Sequence, residues 1–595
     1  FRVGAAGGGE QDAVQVRIPI RPANRPVTHA VSGMLRDSAT VEMVLPEELD
    51  PARSRLELGF GTSTLAVVQA YQRQLNVYPY DCTEQLASQA LPLIALYRAQ
   101  REMGAAGVPA DTRASIQRIV RTLSRRQRED GGIGLWHSGD WSSPWLTAYA
   151  GRVLLSARAA DVAVSDSVLA RAARYVTRSL HDPTVMGAVL GDQEHDVVAL
   201  LTERTAAVDF LSRLGRPDVP AENQILGQAA RLSWEDRVLL AEVLGRRAAG
   251  REPALRLLTA AWATVQVRGA RAVLPDAAFR RAFYFDSRVR PAARLLTATL
   301  ALQPAHPNVG ALVETLVQQG RAEAADPWST QDYSSAILAL LRFEATQRGA
   351  AERTVQVRQG GGVLADRRAR RSETRDSVSS LAGMVTTRPD GRKVLRVSLA
   401  APGAGPAVFY HLAVREIDSA PSFTPRDQGI AVERWYESVE TRRPLTSVDE
   451  GQVVRVRLRI TIPDEREMVV LDDPLPAGLE AVDLTLRTVS PFLPDVLAPV
   501  DEAGDGMELS DASAWMYGRW DAGMWSAFDH SEIRDDRVVY FARMLWRGTY
   551  NATYLARATT AGRFTGAPAH AEEMYNPGVH GRSGGGVFTV RAAGP

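Results

Sequence analysis

The apolar residues of this 595-residue chain change period twice, and that double change limits the fold more than any other feature. Up to residue 62 the pattern is that of strands: residues 13–20 alternate apolar and polar side chains, and residues 39–45 and 52–60 read similarly. From Thr64 to about Arg348 apolar side chains recur at three- and four-residue spacing, as in Ile116-Ile119-Val120-Leu123 and Leu146-Tyr149-Ala150-Val153-Leu154. About a dozen helices of about ten to twenty residues fit this stretch, joined by short Pro/Gly/Asp loops. Many carry Ala and Leu on more than one face, as helices packed between two layers do.

Beyond Arg353 the alternation returns, in residues 354–357, 394–399 and 408–414, and it is sharpest in residues 454–462. That last stretch has one apolar face and one arginine face, which predicts a strand packed on one side and wetted on the other. Residues 467–471, 537–546 and 550–559 extend it into a β-sandwich. The basic run at residues 367–371 reads as a solvated hairpin tip. The phrases at residues 139–146 and 325–336 both run Trp, then Ser/Thr, then an apolar helix, and suggest an all-helical toroid of paired helices. The economical account is a multidomain α + β chain in which that toroid is inserted between two halves of one small β-domain. A second sandwich follows. The expected boundaries are 1–62 and 350–422 for the β-domain, 63–349 for the helices and 423–595 for the terminal sandwich.

The totals exclude several classes. A formal charge of +1 gives no reason to expect nucleic acid or an anionic membrane as partner. No stretch approaches the ~18 consecutive apolar residues of a spanning helix. The opening residues Phe1-Arg2-Val3-Gly4 lack signal-peptide architecture and read as the middle of a longer chain. Lys393 is the sole lysine, which fits arginine-favouring codon usage. The single cysteine, Cys82, rules out an intrachain disulfide and a Cys-based zinc site, so no metal and no cofactor is expected.

Around that cysteine the sequence runs Tyr78-Pro79-Tyr80-Asp81-Cys82-Thr83-Glu84-Gln85, then an apolar helical stripe through Leu86, Leu93, Ile94 and Tyr97. Asp81 and Glu84 have the spacing of an N-cap and its capping-box acid, which predicts a helix start with Cys82 and Gln85 in its first turn. Three residues apart, the two share a face, and the sulfur can reach the Gln85 side-chain carbonyl. Loss of ammonia would leave an internal thioester. The helix start suits that chemistry: unpaired N–H groups and the positive dipole end favour a departing thiolate and a tetrahedral oxyanion.

Cys-x-Glu-Gln resembles the thioester signature of the α2-macroglobulin and complement family, and the leading Tyr-Pro-Tyr resembles its bacterial branch. Given one Cys, Glu and Gln fall at those offsets by chance about once in 400. Residues 127–136, 144–149 and 329–332 resemble the family's thioester-domain phrases, and residues 472–480, 534–537 and 571–575 resemble the bacterial macroglobulins. The resemblance implies an α/α-toroid thioester domain inserted in a CUB-like β-domain, followed by a macroglobulin-type sandwich of receptor-binding kind.

It also implies a protease inhibitor rather than an enzyme: a bait is cut, the thioester is exposed, and a lysine amine of the target endopeptidase attacks the Gln85 carbonyl and frees the Cys82 thiol. The bait and the rest of the macroglobulin would lie upstream of this chain. By motif position the resemblance assigns shielding of the thioester to Tyr78 and Met574, with Tyr80 and Tyr575 as second choices. His137 is a candidate acyl-transfer modulator of the kind hydroxyl-preferring members use, or a plain surface histidine. The implied location is the periplasm, the cell surface or the exterior, a lipid anchor outside this chain being one mode of attachment. Two other functions fit less well. One is complement-like covalent tagging or adhesion by the same thioester. The other is a terpene-cyclase-like enzyme, whose acidic Asp-x-Asp-Asp motif is absent.

Overall fold

The computed structural model describes residues 2–8, 10–15, 27–47, 49–103, 111–182, 193–279, 285, 287–318, 328–347, 349, 351–416, 423–483 and 527–593. The chain is a mixed α/β protein with several antiparallel sheets. The strand expected at residues 13–20 appears as Glu10–Gln15, and residues 16–20 lie outside the described set. So do residues 325–327 of the second Trp-Ser/Thr phrase.

Twelve helices occur among the described residues between 65 and 344: α1 Leu65–Asn76, α2 Thr83–Met103, α3 Thr112–Arg125, α4 Pro144–Ala159, α5 Asp166–His181, α6 Gln193–Arg213, α7 Val219–Gly227, α8 Trp234–Leu244, α9 Arg251–Trp262, α10 Arg290–Leu302, α11 Val309–Val317 and α12 Thr330–Glu344. The even-numbered helices pack in succession, α2 on α4, α4 on α6, α6 on α8, α8 on α10 and α10 on α12, and α12 returns to α2. The odd-numbered ones lie against them from outside, α3 on α2, α5 on α4 and α9 on α8. The sequence dictates this division. In α3 the apolar stripe Ile116, Val120 and Leu123 is buried while Arg113, Arg121 and Arg125 stay in water. In α4 the buried set, from Trp145 and Leu146 to Val153 and Leu154, runs round the helix, as a position between two layers requires.

Strands from both sides of the helical stretch share sheets. One sheet orders Thr374–Val378, Arg55–Gly61, Val408–Glu416 and Val27–Leu35. The other is built on Lys393–Ala400, which pairs with both Ser38–Leu45 and Arg353–Gln359. Leu35, Leu45, Leu56, Phe60, Leu395 and Tyr410 fill the space between them. The basic run is no hairpin tip. Arg367 and Arg368 belong to the strand Gly362–Ala369, Ala369 is buried, and Arg371 reaches the buried Glu344 of α12 at 3.0 Å. The buried carboxylate draws the arginine inward.

The C-terminal part contains a six-stranded and a five-stranded sheet, with a smaller three-stranded one beside them. In the central strand Val453–Ile462, residues Val454, Val456, Leu458, Ile460 and Ile462 are buried as the alternation requires. The opposite face is not simply wet. Arg455 is buried, and the guanidinium carbons of Arg457 and Arg459 lie 5.9 and 5.1 Å from the Trp435 ring centre.

The six-stranded sheet joins two cores. Along Arg466–Pro474, Val469 and Leu471 face the sandwich interior while Met468 and Val470 join the helical core. On the paired strand Arg537–Leu545, Val538 and Ala542 face the sandwich, and Val539 and Phe541 face the helices. Both faces of one sheet are therefore buried. Among the described residues no helix is long and apolar enough to cross a membrane.

Candidate functional site

The covered end of the helical ring is where α2 begins. Pro79 fixes its own φ and biases Tyr78 towards extended backbone, so residues 77–82 separate α1 from α2 without helix. The phase of the helix start is set by tertiary contacts. Thr83 N–H donates to Leu135 O at 2.8 Å, Thr83 Oγ1 to Gly134 O at 2.6 Å, and Arg126 Nη1 to Asp81 O at 2.9 Å. The loop that supplies these acceptors needs its glycines. A Cβ on Gly134 would lie 2.0 Å from His137 O, and Gly131 has φ +96°.

The result shifts the expected start by one residue. Cys82, not Asp81, is the N-cap, since Leu86 N–H donates to Cys82 O at 2.9 Å in the first intrahelical bond. Gln85 N–H points at Cys82 Sγ, 3.4 Å away, and Cys82 N–H donates to Gln85 Oε1 at 3.1 Å. This is the reciprocal pattern of a capping box with a thiol in place of the hydroxyl. Asp81 is exposed, and Glu84, expected to act as the capping acid, is fully buried.

Met574 and Tyr575 cover the pair. They form the turn between strands His570–Glu573 and Asn576–Arg582, at the edge of the six-stranded sheet that faces the helices. Met574 N–H donates to Met468 O at 3.0 Å, and the buried Glu573 accepts from Glu467 N–H and Asn576 Nδ2, which holds the turn in place. Gln85 Nε2 donates to Met574 Sδ at 3.2 Å. Tyr575 Oη lies 3.8 Å from Cys82 Sγ and shares a hydrogen bond with Glu84 Oε2. Cys82, Gln85 and Met574 are at most 2% exposed and Tyr575 9%, so bulk water does not reach the sulfur.

Tyr80 stands one layer away, buried, with its hydroxyl donating to Asp472 Oδ2 at 3.0 Å and its ring edge-on to Phe541. Tyr78 is half-buried and edge-on to Tyr80 at 5.4 Å, and its phenol acts through space on Tyr575. Thus the structure brings Met574 and Tyr575 against the Cys82–Gln85 pair, with the Tyr78 phenol close enough to act on Tyr575 and Tyr80 packed edge-on to Tyr78. His137 is exposed, accepts the Gly139 N–H at Nδ1, and sits near His530 rather than in the buried cluster. A cleft of about 540 Å³ opens beside the lead-in segment, lined by Tyr78, Asp81, Arg126, Trp136, Glu532 and Arg534 among others. Arg534 Nη1 closes one wall by donating to Pro79 O at 2.9 Å.

Sequence reasoning missed the polar network beneath the sulfur. Glu84 accepts from Ser88 Oγ and Gln331 Nε2, and Thr330 Oγ1 approaches it at 3.4 Å. Ser88 Oγ meets Tyr149 Oη at 3.0 Å, and Arg290 Nη1 donates to Gln331 Oε1 at 2.8 Å. Burial pushes the Glu84 carboxyl upward despite these bonds, and it raises the Tyr575 and Tyr149 phenols too. Burial, reinforced by Glu84, drives the Cys82 thiol far above the usual thiol range. An unmodified Cys82 here would be a neutral, unreactive thiol. The phrase 329–332 was the one available signal, since its Gln331 sits on Glu84. No group of His, Cys, Asp and Glu suited to a metal occurs among the described residues.

Comparison with known proteins gives a consistent picture. Residues 429–578 match the family described as the bacterial alpha-2-macroglobulin MG10 domain. An alpha-2-macroglobulin homolog of Yersinia pestis is 25% identical over 98% of this chain, and an alpha-2-macroglobulin of Xylella fastidiosa 26% over 98%. The chain spans only 27% and 33% of the length of those two relatives. Among solved structures, native Escherichia coli alpha-2-macroglobulin from domain MG7 to the C-terminus superposes with a TM-score of 0.73 at 21% identity, covering 99% of this chain and 86% of that one. Salmonella alpha-2-macroglobulin reacted with methylamine gives 0.73 at 20% identity, covering 98% of this chain and 34% of that one.

Proposed function

Because the chain belongs to the bacterial α2-macroglobulin family, we propose that it is the part of such a protein that stores an internal thioester between Cys82 Sγ and the Gln85 side-chain carbonyl. The whole protein then acts as a covalent trap for endopeptidases, an inhibitor rather than an enzyme. In this reading residues 63–349 are the α/α-toroid thioester domain, residues 1–62 and 350–422 the CUB-like domain that carries it, and residues 423–595 the terminal macroglobulin sandwich. The warhead is the protein's own covalent modification, with no added cofactor.

One observation carries the reading. The only thiol of the chain and a glutamine three residues on already face each other at a helix start, in a pocket dry enough to keep an acyl sulfur from hydrolysis. A buried thiol with no reactive use needs neither the reciprocal geometry nor the Met574–Tyr575 cover. When cleavage of a bait elsewhere in the protein draws the terminal sandwich away, Met574 and Tyr575 leave with it. A lysine amine of the attacking protease can then reach the carbonyl carbon of Gln85. The C–S bond breaks, an amide forms, and Cys82 takes up the proton as a thiol. Attachment in the periplasm or at the cell surface would put the trap where foreign proteases arrive.

Intact-mass measurement tests the reading. The untreated protein should weigh about 17 Da less than its sequence, the ammonia lost on thioester closure, and methylamine should add one amine while releasing one titratable thiol. A full-mass protein that titrates as a free thiol after gentle unfolding and ignores methylamine would remove the trap.

A further inference from the structure

A shield needs only bulk, and a phenylalanine at position 575 would supply it. Tyr575 carries a hydroxyl instead, held at the meeting point of Cys82 Sγ and the Glu84 carboxyl. Its ring is fixed edge-on against Phe285 at 5.3 Å, which stacks on Trp145. The oxygen is therefore aimed, and burying it there costs solvation that an apolar ring would not lose.

We propose that Tyr575 is the proton donor to the departing sulfur when a small amine opens the thioester in the docked molecule, and that Glu84 is the acid behind it that restores its proton. The inference rests on the thioester reading above. The amine nitrogen forms a bond to the carbonyl carbon of Gln85, and the C–S bond breaks with its electron pair going to sulfur. Tyr575 gives its phenolic proton to sulfur and takes the carboxyl proton of Glu84. The Glu84 carboxylate then accepts the surplus proton from nitrogen. Amide and thiol remain, and Tyr575 and Glu84 end as they began.

The surroundings suit such a relay. Burial favours the protonated form of Glu84, and with that proton in place the hydrogen bond with Tyr575 can run towards the phenol and leave the phenolic proton for sulfur. Ser88 of α2 and Gln331 and Thr330 of α12 hold the carboxyl in place. The charged and titratable groups around the pair are Arg290 of α10, which acts on Glu84 through space, Arg126, which acts on Cys82, Tyr149 of α4 and Tyr78. A proton delivered to a leaving group is worth about 10²–10⁴ in rate in a well-aligned site.

The test is the second-order rate of methylamine opening of the full chain, followed by thiol release between pH 6.5 and 9.5 in water and in deuterium oxide. Intact mass first establishes that each protein carries the thioester. Tyr575→Phe keeps the ring and its cover, and its opening should slow by at least about tenfold, with a changed pH profile and a smaller solvent isotope effect. Glu84→Gln should change the same readouts in the same direction. If that variant fails to close its thioester, Tyr575→Phe carries the test alone. A Tyr575→Phe protein of correct mass deficit that opens at the parent rate or faster would reduce Tyr575 to a shield and overturn the proposal. A parent protein with no mass deficit would overturn both this inference and the thioester reading, whereas the first result leaves the thioester standing.

Discussion

Helices α2 and α12 lie side by side in the ring and start at the same covered end, yet they are capped by different chemistry. At α12, Ser329 Oγ accepts from Asp332 N–H at 3.3 Å, and Asp332 Oδ2 accepts from Ser329 N–H at 2.8 Å. At α2 the same reciprocal geometry is made by Cys82 and Gln85. Ser and Asp are among the best capping residues and cannot condense with each other under mild conditions. Thiol sulfur is a poor acceptor, and a glutamine amide can be displaced by it. The α12 box offers no such reaction. The α2 box gives up hydrogen-bond quality and, on the proposed reading, gains a pair that can join.

Five substitutions break or sharpen this contrast. Cys82→Ser should have the largest effect, because it turns the α2 box into the α12 kind. Methylamine incorporation and covalent coupling should fall to background by mass spectrometry. The melting temperature should hold or rise, since serine is the better cap. A large loss of stability would mean that sulfur is structurally required there.

Next is Met574→Ala, which strips the side chain contacting the Gln85 amide. Removing a buried methionine costs about 2 kcal/mol or more, enough to open the cover about ten- to a hundredfold more often, and methylamine opening should accelerate accordingly. Tyr78→Gly, which removes a ring packed on Tyr80 beside Tyr575, should accelerate it less. The reverse order would make Tyr78 the main barrier.

A third helix start supplies a pH test. Trp145 N–H, in the first turn of α4, donates to Glu203 at 2.5 Å, and burial pushes that carboxyl up to about 7. The folded protein thus holds the proton more tightly than the unfolded chain, so stability falls as pH rises from about 4.5 to about 7 and levels beyond, by up to about 3 kcal/mol. Glu203→Gln should flatten that dependence in denaturant titrations at pH 5 and 8, and an unchanged slope would place the titrating group elsewhere. Smallest is Ser329→Ala, which should cost about 1 kcal/mol in the same titrations and leave methylamine kinetics untouched.

Much of this was legible in the residues, and the failures have physical causes. The switches of apolar period near 62–64 and 353 fall where strand gives way to helix and back, because burial on one face or all round leaves a periodic record. The pairing of Cys82 with Gln85 on one face was also readable, being local. The cap itself was misplaced by one residue, because Asp81 outranks cysteine in propensity. Contacts from Leu135 and Gly134, fifty residues away, decide the phase instead. Which tyrosine meets the sulfur depends on how a distant sandwich docks, and no local spacing around Cys82 encodes a partner 493 positions further on. Arg455 shows the same limit: alternation assigns it to the outer face, but what covers that face is a tertiary matter. The unbroken run Met468-Val469-Val470-Leu471 did carry a signal, since a strand with no polar face is buried on both sides.

That two-faced strand has a price for any motion. If the sandwich swings off the helices, Met468, Val470, Val539 and Phe541 lose the surface they rest on and become a greasy strip facing solvent. A sprung molecule would therefore be stickier than a resting one, and would bind a hydrophobic dye, adhere to a neighbour of its own kind or fold the strip against new surface. On the proposed trap mechanism, the loss of cover that arms the sulfur would also leave a lasting mark on the exterior by which spent molecules could be told from unspent ones.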